Sequence, residues 1–326
     1  MAEETKPRFR HWLEYAGLSS AAWIIRHLPY DSLRRLAAVS GALMYLVDKH
    51  RREVSLANLE AAFGDTLSLK EKKRIARQSF ATFARTMLEL FWSPNLTQQK
   101  LDELTTTEGL DQPAITDPDR PVILICLHAS NFEWLSQDTT YRIGNGIVVA
   151  QKLKNPLLGP IFDRMRSSTG HTIIPQERAM LRMLKHLKKG GYFNMVVDLN
   201  LDPREPSVII DQFGGLKTCV TQMHAALAGR SGARIIPAEC IPLPDGGYRL
   251  IYHPALEVPE GSSAQTVAQM CWDVLEPGIR RRPELWLWSY KHWRFRPSGD
   301  CSGRYPFYSN IAKRFDRLLK VSNSRG

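Results

Sequence analysis

The spacing of apolar residues changes character along the chain. Two apolar stretches, Trp12 to Leu28 and Leu36 to Val47, are parted by the polar turn Pro29-Tyr30-Asp31-Ser32-Leu33-Arg34-Arg35. Neither provides the roughly 18 to 20 uninterrupted apolar residues that a bilayer span requires, and Glu14, Arg26 and His27 interrupt the first. They read as two helices, the second capped by Asp31 or Ser32. Helical periodicity continues over residues 51–104, with a long amphipathic segment from Ser68 through Trp92 that stops before Pro94.

From Pro121 the pattern becomes that of strands. Val122-Ile123-Leu124-Ile125-Cys126-Leu127 is a continuous apolar run bounded by Pro121 and His128, as in a strand covered on both faces. Comparable runs follow at 146–150, 172–175, 192–198, 207–213, 233–242 and 248–252. Helical segments at 132–141, 156–166, 178–188, 221–229 and 264–279 alternate with most of them. This order predicts an α/β fold, a mixed, largely parallel central sheet flanked by helices, with its active groups at strand ends. Residues 105–120 read as the connection into the sheet. Near the C-terminus, Ile311, Phe315, Leu318 and Leu319 fall at i, i+4, i+7 and i+8, a helical stripe with Lys and Arg opposite. The chain therefore divides into membrane-associating helices (1–50), an α/β domain (51–305) and a basic amphipathic C-terminal helix (306–326).

Charge sharpens the reading of the two ends. The net +11 is concentrated there, with +9 over residues 280–326 and +4 over residues 1–52. Basic ends around short apolar helices bearing Trp12, Tyr15 and Trp23 suit an anionic membrane surface. A basic tail also suits nucleic acid, and Trp293-Arg294-Phe295-Arg296 interleaves aromatic and cationic groups as single-strand binders do. No nucleic-acid motif accompanies it, and the apolar stripe of the end helix fits lipid better, so no nucleic-acid partner is expected. Five widely spaced cysteines with no C-x-x-C pair argue against a disulfide framework or a zinc site, and fit a reducing compartment. Met1-Ala2-Glu3-Glu4-Thr5-Lys6 lacks the basic start of a signal peptide.

The chemistry gathers around His128-Ala129-Ser130-Asn131-Phe132-Glu133. A buried strand running into His128 puts an imidazole where ligands bind in open α/β sheets. Acylation of an alcohol needs a general base near neutrality, and a carboxylate on the second ring nitrogen fixes its tautomer. Glu133 is one candidate carboxylate, reaching the imidazole across the strand-to-helix turn. Asp198, at the end of another apolar strand, is the other. Ser130 and Glu133 also match an S-x-x-E capping box, which would employ Glu133 structurally. The G-x-S-x-G elbow of a nucleophilic serine is absent.

The segment resembles the H-x4-acid motif, often H-x-G-N-W-E, of the bacterial late acyltransferases of lipid A biosynthesis, a family that includes phosphatidylinositol mannoside acyltransferases. Further blocks keep its order over roughly residues 5–300. They are residues 51–63, Lys154-Asn155-Pro156, Arg166-Ser167-Ser168-Thr169-Gly170, Val196-Val197-Asp198, Gln212-Phe213-Gly214-Gly215 and Pro283-Glu284-Leu285-Trp286-Leu287-Trp288 through Trp293. Ser130 stands for the usual glycine, Phe132 for tryptophan and Leu199 for glutamine. The resemblance implies a glycerol-3-phosphate acyltransferase-like fold and transfer of a fatty acyl chain from acyl carrier protein or coenzyme A to a hydroxyl of a phosphorylated, lipid A-like glycolipid. A mannosylated phosphatidylinositol or a lysophospholipid is the alternative acceptor, and a non-catalytic lipid-binding relative the alternative function. No metal or other cofactor is implied, and the expected location is the cytoplasmic face of the bacterial inner membrane. The expected catalytic residues are His128 with Glu133 or Asp198. Arg166 is expected to bind phosphate or the developing oxyanion, with Lys152 and Lys154 at the same mouth; Asn131 is expected either to donate to the thioester carbonyl or to brace the turn.

Overall fold

The computed structural model describes residues 8–117, 120–150, 153–175 and 177–323; Lys152 lies outside them. Four helices come first, α1 (Phe9–Arg26), α2 (Tyr30–Val47), α3 (Lys49–Phe63) and α4 (Leu69–Trp92). After α5 (Gln98–Leu104), strands and helices alternate: β1 (Thr105–Glu108), α6 (Pro113–Thr116), β2 (Val122–Cys126), α7 (Phe132–Ile143), β3 (Gly146–Ala150), α8 (Gly159–Arg166), β4 (Thr172–Pro175), α9 (Ala179–Leu187) and β5 (Tyr192–Val196). The remainder comprises β6 (Ser207–Gln212), β7 (Leu216–Thr221), α10 (Met223–Ser231), β8 (Arg234–Pro242), β9 (Tyr248–Tyr252), α11 (Ala264–Arg281), β10 (Phe295–Arg296), β11 (Asn310–Ile311) and α12 (Lys313–Asn323).

Seven strands form the central sheet in the order β1-β9-β8-β2-β5-β3-β4. All neighbours are parallel except the β8–β9 hairpin, which makes the sheet mixed and largely parallel as the alternation predicts. The continuous apolar run of β2 is explained by its central place. Ile123 and Ile125 enter one core beneath α9, α10 and α11, while Leu124 and Cys126 enter the other with residues of α1, α2 and α7. Two strands depart from the sequence reading. Thr105–Glu108 is an edge strand rather than a linker, and the 207–213 run leaves the central sheet to pair antiparallel with β7 as a separate hairpin.

Helix α4 begins with a capping box, Ser68 Oγ accepting from the Glu71 amide while Glu71 accepts from the Ser68 amide. Its first turns (Ile75, Ala76) join one core and its last (Trp92) the other, so α4 runs from one layer to the other past the turn that follows β2. In α2 the cap position is Pro29, which has no side-chain acceptor, and Asp31 and Ser32 lie inside the first turn. One face of α2 (Leu33, Ala37, Gly41) is buried, and Gly41 meets α4 so closely that a Cβ there would fall 2.3 Å from the Ala81 Cα. The other face leaves Leu36, Val39, Leu43, Leu46 and Val47 exposed at i, i+3, i+7, i+10 and i+11. Among the described residues, no helix is long and apolar enough to cross a membrane.

The C-terminal stripe is covered by the protein itself. Phe315 is fully buried with Ile209 and Cys219 of the β6–β7 hairpin, and Leu318 and Leu319 pack beside it. Only Ile311 of the stripe is largely exposed. The expectation that α12 offers a second lipid-facing surface is thereby corrected: its apolar residues are already spent on the fold.

Candidate active site

The site grows from the register of two neighbouring parallel strands. The last ladder pair of β2 and β5 is Cys126 with Val196, and the Val197 amide still donates to the Cys126 carbonyl at 3.1 Å. Two residues beyond that pair, His128 stands opposite Asp198. The imidazole Nδ1 lies 2.8 Å from Asp198 Oδ1, and the backbone amide of His128 donates to Oδ2 at 3.0 Å. Trp286 Nε1 donates to the same Oδ2 at 2.8 Å. Three donors therefore hold a fully buried carboxylate. Burial alone would push its pKa up; the attraction and hydrogen bond of His128, then His292 and Trp286, outweigh that and hold it down to about 2. With Nδ1 committed as donor to an anionic Asp198, Nε2 of the neutral ring carries the lone pair. Phe132 packs edge-on to the imidazole at 4.9 Å.

Glu133 is not the imidazole's partner, and the expected capping box is absent as well. The N-cap of α7 is Asn131, one residue later than the S-x-x-E pattern places it, because Ser130 takes a left-handed φ of 50° to turn the chain into the helix. That turn aims Glu133 elsewhere. It accepts from Arg166 Nη2 at 2.6 Å and from Nε at 3.1 Å, a forked pair at the end of α8. Burial opposes the charge of Arg166, and the carboxylate beside it more than compensates, raising its affinity for the proton.

Of the two roles expected of Asn131, the structure has the brace. Its Oδ1 accepts from the Trp134 amide at 2.8 Å, and its Nδ2 donates to Glu89 Oε2 at 2.6 Å. Fully buried and bonded at both ends, it braces the turn and offers nothing to a thioester carbonyl. Lys154 is exposed in the loop before α8, where neighbouring Asn155 donates to the His11 carbonyl and to Glu14 of α1. An apolar cleft lies along the turn after His128, lined by Leu127, Ala129, Phe132, Leu275, Ile279 and Leu285 among others, with Glu239 and Arg282 at its polar part.

Two contributors escaped the sequence reading. Trp286 stands there only within the C-terminal tryptophan block, with no role of its own, although the antiparallel bridge between Ala129 and Trp286 delivers its indole N–H to Asp198. Glu89 is a fully buried carboxylate on α4, met by Arg85 Nε at 2.7 Å, Tyr30 OH at 2.8 Å and Tyr248 OH at 2.6 Å besides Asn131. The visible signal was an Arg and a Glu at i, i+4 among the apolar positions of the helix. Among the described residues, no group of His, Cys, Asp or Glu is placed to hold a metal ion.

Comparison with known proteins adds independent findings. The family model described as bacterial lipid A biosynthesis acyltransferase matches residues 3–295. The lipid A biosynthesis lauroyltransferase of Escherichia coli (strain K12) is 26% identical over 298 residues, covering 89% of this chain and 94% of that protein. The lipid A biosynthesis palmitoleoyltransferase of the same strain is 26% identical over 307 residues, covering 90% of this chain and 94% of that protein. Among solved structures, the 1-acyl-sn-glycerophosphate acyltransferase PlsC from Thermotoga maritima matches with a TM-score of 0.35 at 14% identity, over 79% of this chain and 99% of that one. A likeness that loose adds nothing to the assignment.

Proposed function

Because the chain belongs to the bacterial lipid A biosynthesis acyltransferase family and is thus an acyltransferase, we propose that it moves a fatty acyl chain from an acyl thioester to a hydroxyl of a phosphorylated, lipid A-like glycolipid, with His128 as general base. The observation that carries the mechanism is the His128–Asp198 pair at 2.8 Å. Nε2 takes the proton of the acceptor hydroxyl as its oxygen attacks the thioester carbonyl. The tetrahedral intermediate then expels the thiolate, which receives that proton back from the imidazolium. Asp198 holds the ring in this tautomer and stabilises its cationic form. Arg166, oriented by Glu133, supplies a planar cation for the acceptor's phosphate or for the oxyanion.

The donor in this reading is acyl carrier protein, with coenzyme A as the other thioester to be assayed, and no cofactor takes part. The exposed stripe of α2 and the exposed Phe9, Trp12, Leu13, Trp23 and Ile24 of α1 would supply the membrane-facing apolar residues. Arg26 and Arg35, exposed on the same two helices, would meet lipid phosphates. Such a protein sits peripherally on the cytoplasmic leaflet of the inner membrane.

Assay of purified enzyme with radiolabelled acyl-carrier-protein and acyl-coenzyme A donors, against a panel of phosphorylated glycolipids, mannosylated phosphatidylinositol and lysophospholipids, tests this directly. His128→Ala and Asp198→Asn should each lower kcat by at least about 100-fold. Glu133→Gln should act mainly on the KM of the phosphorylated acceptor. Full turnover by His128→Ala would end the mechanism. A damaging Glu133→Gln beside a harmless Asp198→Asn would reverse the roles of the two acids.

A further inference from the structure

Helix α4 carries a buried polar face that touches both segments on which the catalytic pair is mounted. Ser79, Thr82, Thr86 and Glu89 follow at i, i+3, i+7 and i+10, within an arc of roughly 80° on an ideal helix. Ser79 Oγ donates to the Trp286 carbonyl at 2.5 Å, and Thr82 Oγ1 to the Glu284 carbonyl at 3.1 Å. Thr86 Oγ1 donates to the Ser130 carbonyl at 2.8 Å, and Glu89 Oε2 accepts from Asn131 Nδ2 at 2.6 Å. The Trp134 indole N–H also reaches the Glu89 carbonyl oxygen at 3.3 Å. Hydroxyls in a helix interior ordinarily bond back to their own helix; the single Thr86 proton is shared between the Thr82 carbonyl at 3.0 Å and the Ser130 carbonyl, the shorter contact, at 2.8 Å. Here they point outward to backbone carbonyls of the active site as well.

The two segments are joined to each other in turn. The Ser130 amide donates to the Leu285 carbonyl at 2.8 Å, and the Leu287 amide to the His128 carbonyl at 3.1 Å. Both converge on Asp198, one through His128 and the other through Trp286. The loop of bonds thus closes from α4 through the histidine turn to Asp198, and back through the tryptophan segment.

We propose that α4 is the element that sets the catalytic geometry, and that Thr86 and Ser79 are positioning residues for the His128–Asp198 pair, acting through the Ser130 and Trp286 carbonyls. The position of Ser130 explains the need. Its left-handed φ of 50° is unfavourable for a residue with a side chain, so the turn requires an outside hold, and the Thr86 hydroxyl provides it.

This proposal rests on His128 being the base, and its test separates the two. Thr86→Val keeps the shape of the side chain and removes the hydroxyl; Thr86→Ser restores the donor; Ser79→Ala removes the hold on the other segment. Two quantities are read on folded enzyme: kcat with KM for donor and acceptor, and the downfield Nδ1 proton resonance of His128, identified by its loss in His128→Ala. Thr86→Val should lower kcat roughly 10- to 100-fold with KM within about twofold, the scale expected from displacing reacting groups by an ångström or less. It should also shift or broaden the Nδ1 proton. Thr86→Ser should recover most of both, and Ser79→Ala should show the same pattern more weakly. A Thr86→Val or Ser79→Ala enzyme that melts earlier yet keeps wild-type kcat and an unmoved Nδ1 proton would overturn the proposal. Should Thr86→Val not fold, the decision passes to Ser79→Ala. If His128→Ala itself retains turnover, the base assignment fails, while the Nδ1 resonance still reports whether α4 positions the ring.

Discussion

At the scale of single residues, the turn after His128 decides which carboxylate meets the imidazole. Ser130 occupies the left-handed region where the resembling family usually has glycine, and its Oγ finds only a long 3.9 Å contact with the sulfur of Cys240. Glycine adopts that backbone without a Cβ penalty of about 1 to 2 kcal/mol, and loses some of the gain, about 0.5 to 1 kcal/mol, to its freer unfolded chain. Ser130→Gly should therefore leave denaturant stability unchanged or raise it by up to about 1 kcal/mol while activity persists. Ser130→Val, β-branched and forced into the same φ, should lose more than about 2 kcal/mol. Equal losses in the two variants would mean that the hydroxyl, and not the backbone angle, is what the position requires. His128 itself was legible in the sequence, because an unbroken apolar strand runs straight into it. Its partner was not, since the choice between Glu133 and Asp198 depends on a strand register formed across 70 residues of chain.

At the scale of elements, periodicity identified faces correctly and could not say what covers them. The stripe of α12 and the outer stripe of α2 look alike in sequence. The first is occupied by the β6–β7 hairpin, whereas Val47 and Val39 of the second are 73% and 66% exposed. Nothing local distinguishes them, because the cover for α12 lies about a hundred residues upstream and forms a hairpin whose second strand, β7, the pattern does not reveal. The same limit hid Glu89, whose partners come from α2, α4, α7 and β9. The difference between the two stripes predicts opposite behaviours. Phe315→Ala removes the buried anchor of a terminal helix that is otherwise tied by Arg314 to the Pro203 carbonyl and by Asp316 to the Ser298 amide. It should free residues 313–323 for proteolysis and amide exchange without loss of binding to anionic vesicles. Replacing Val39, Leu43 and Leu46 together by serine should abolish vesicle co-sedimentation and leave the melting temperature nearly unchanged. Loss of vesicle binding in Phe315→Ala alone would transfer the membrane role to α12.

At the scale of the whole molecule, three histidines are buried in the neutral form, and they make the fold sensitive to mild acid. His171 accepts or shares hydrogen bonds with Ser136 and Thr140, His292 stacks on Trp286 at 3.8 Å, and neither ring nitrogen of His224 has a hydrogen-bond partner among the described residues. In each, burial is the leading cause that pushes the pKa down from 6.5 to about 4. Between those two values the unfolded chain takes up a proton that the folded chain refuses, so stability is complete above about pH 6.5 and falls as the pH drops toward 4. Each histidine contributes roughly 3 kcal/mol to that loss, and the sum is comparable to the roughly 5 to 15 kcal/mol that holds a typical domain folded. Asp198 works in a lower window: held down to about 2 from an ordinary 3.8, it supports the fold above that range and weakens it only as the pH falls through it. Acid unfolding should therefore begin well above the titration of Asp198. The melting temperature should decline steadily from pH 6.5 to 4.5, with about three protons taken up on unfolding. His224→Leu, distant from the mechanism by its role, should flatten that slope by about a third. A melting temperature that stays level down to pH 4.5 would show that these rings are protonated within the fold, and would also remove the neutral His292 from beside the Trp286 indole that grips Asp198.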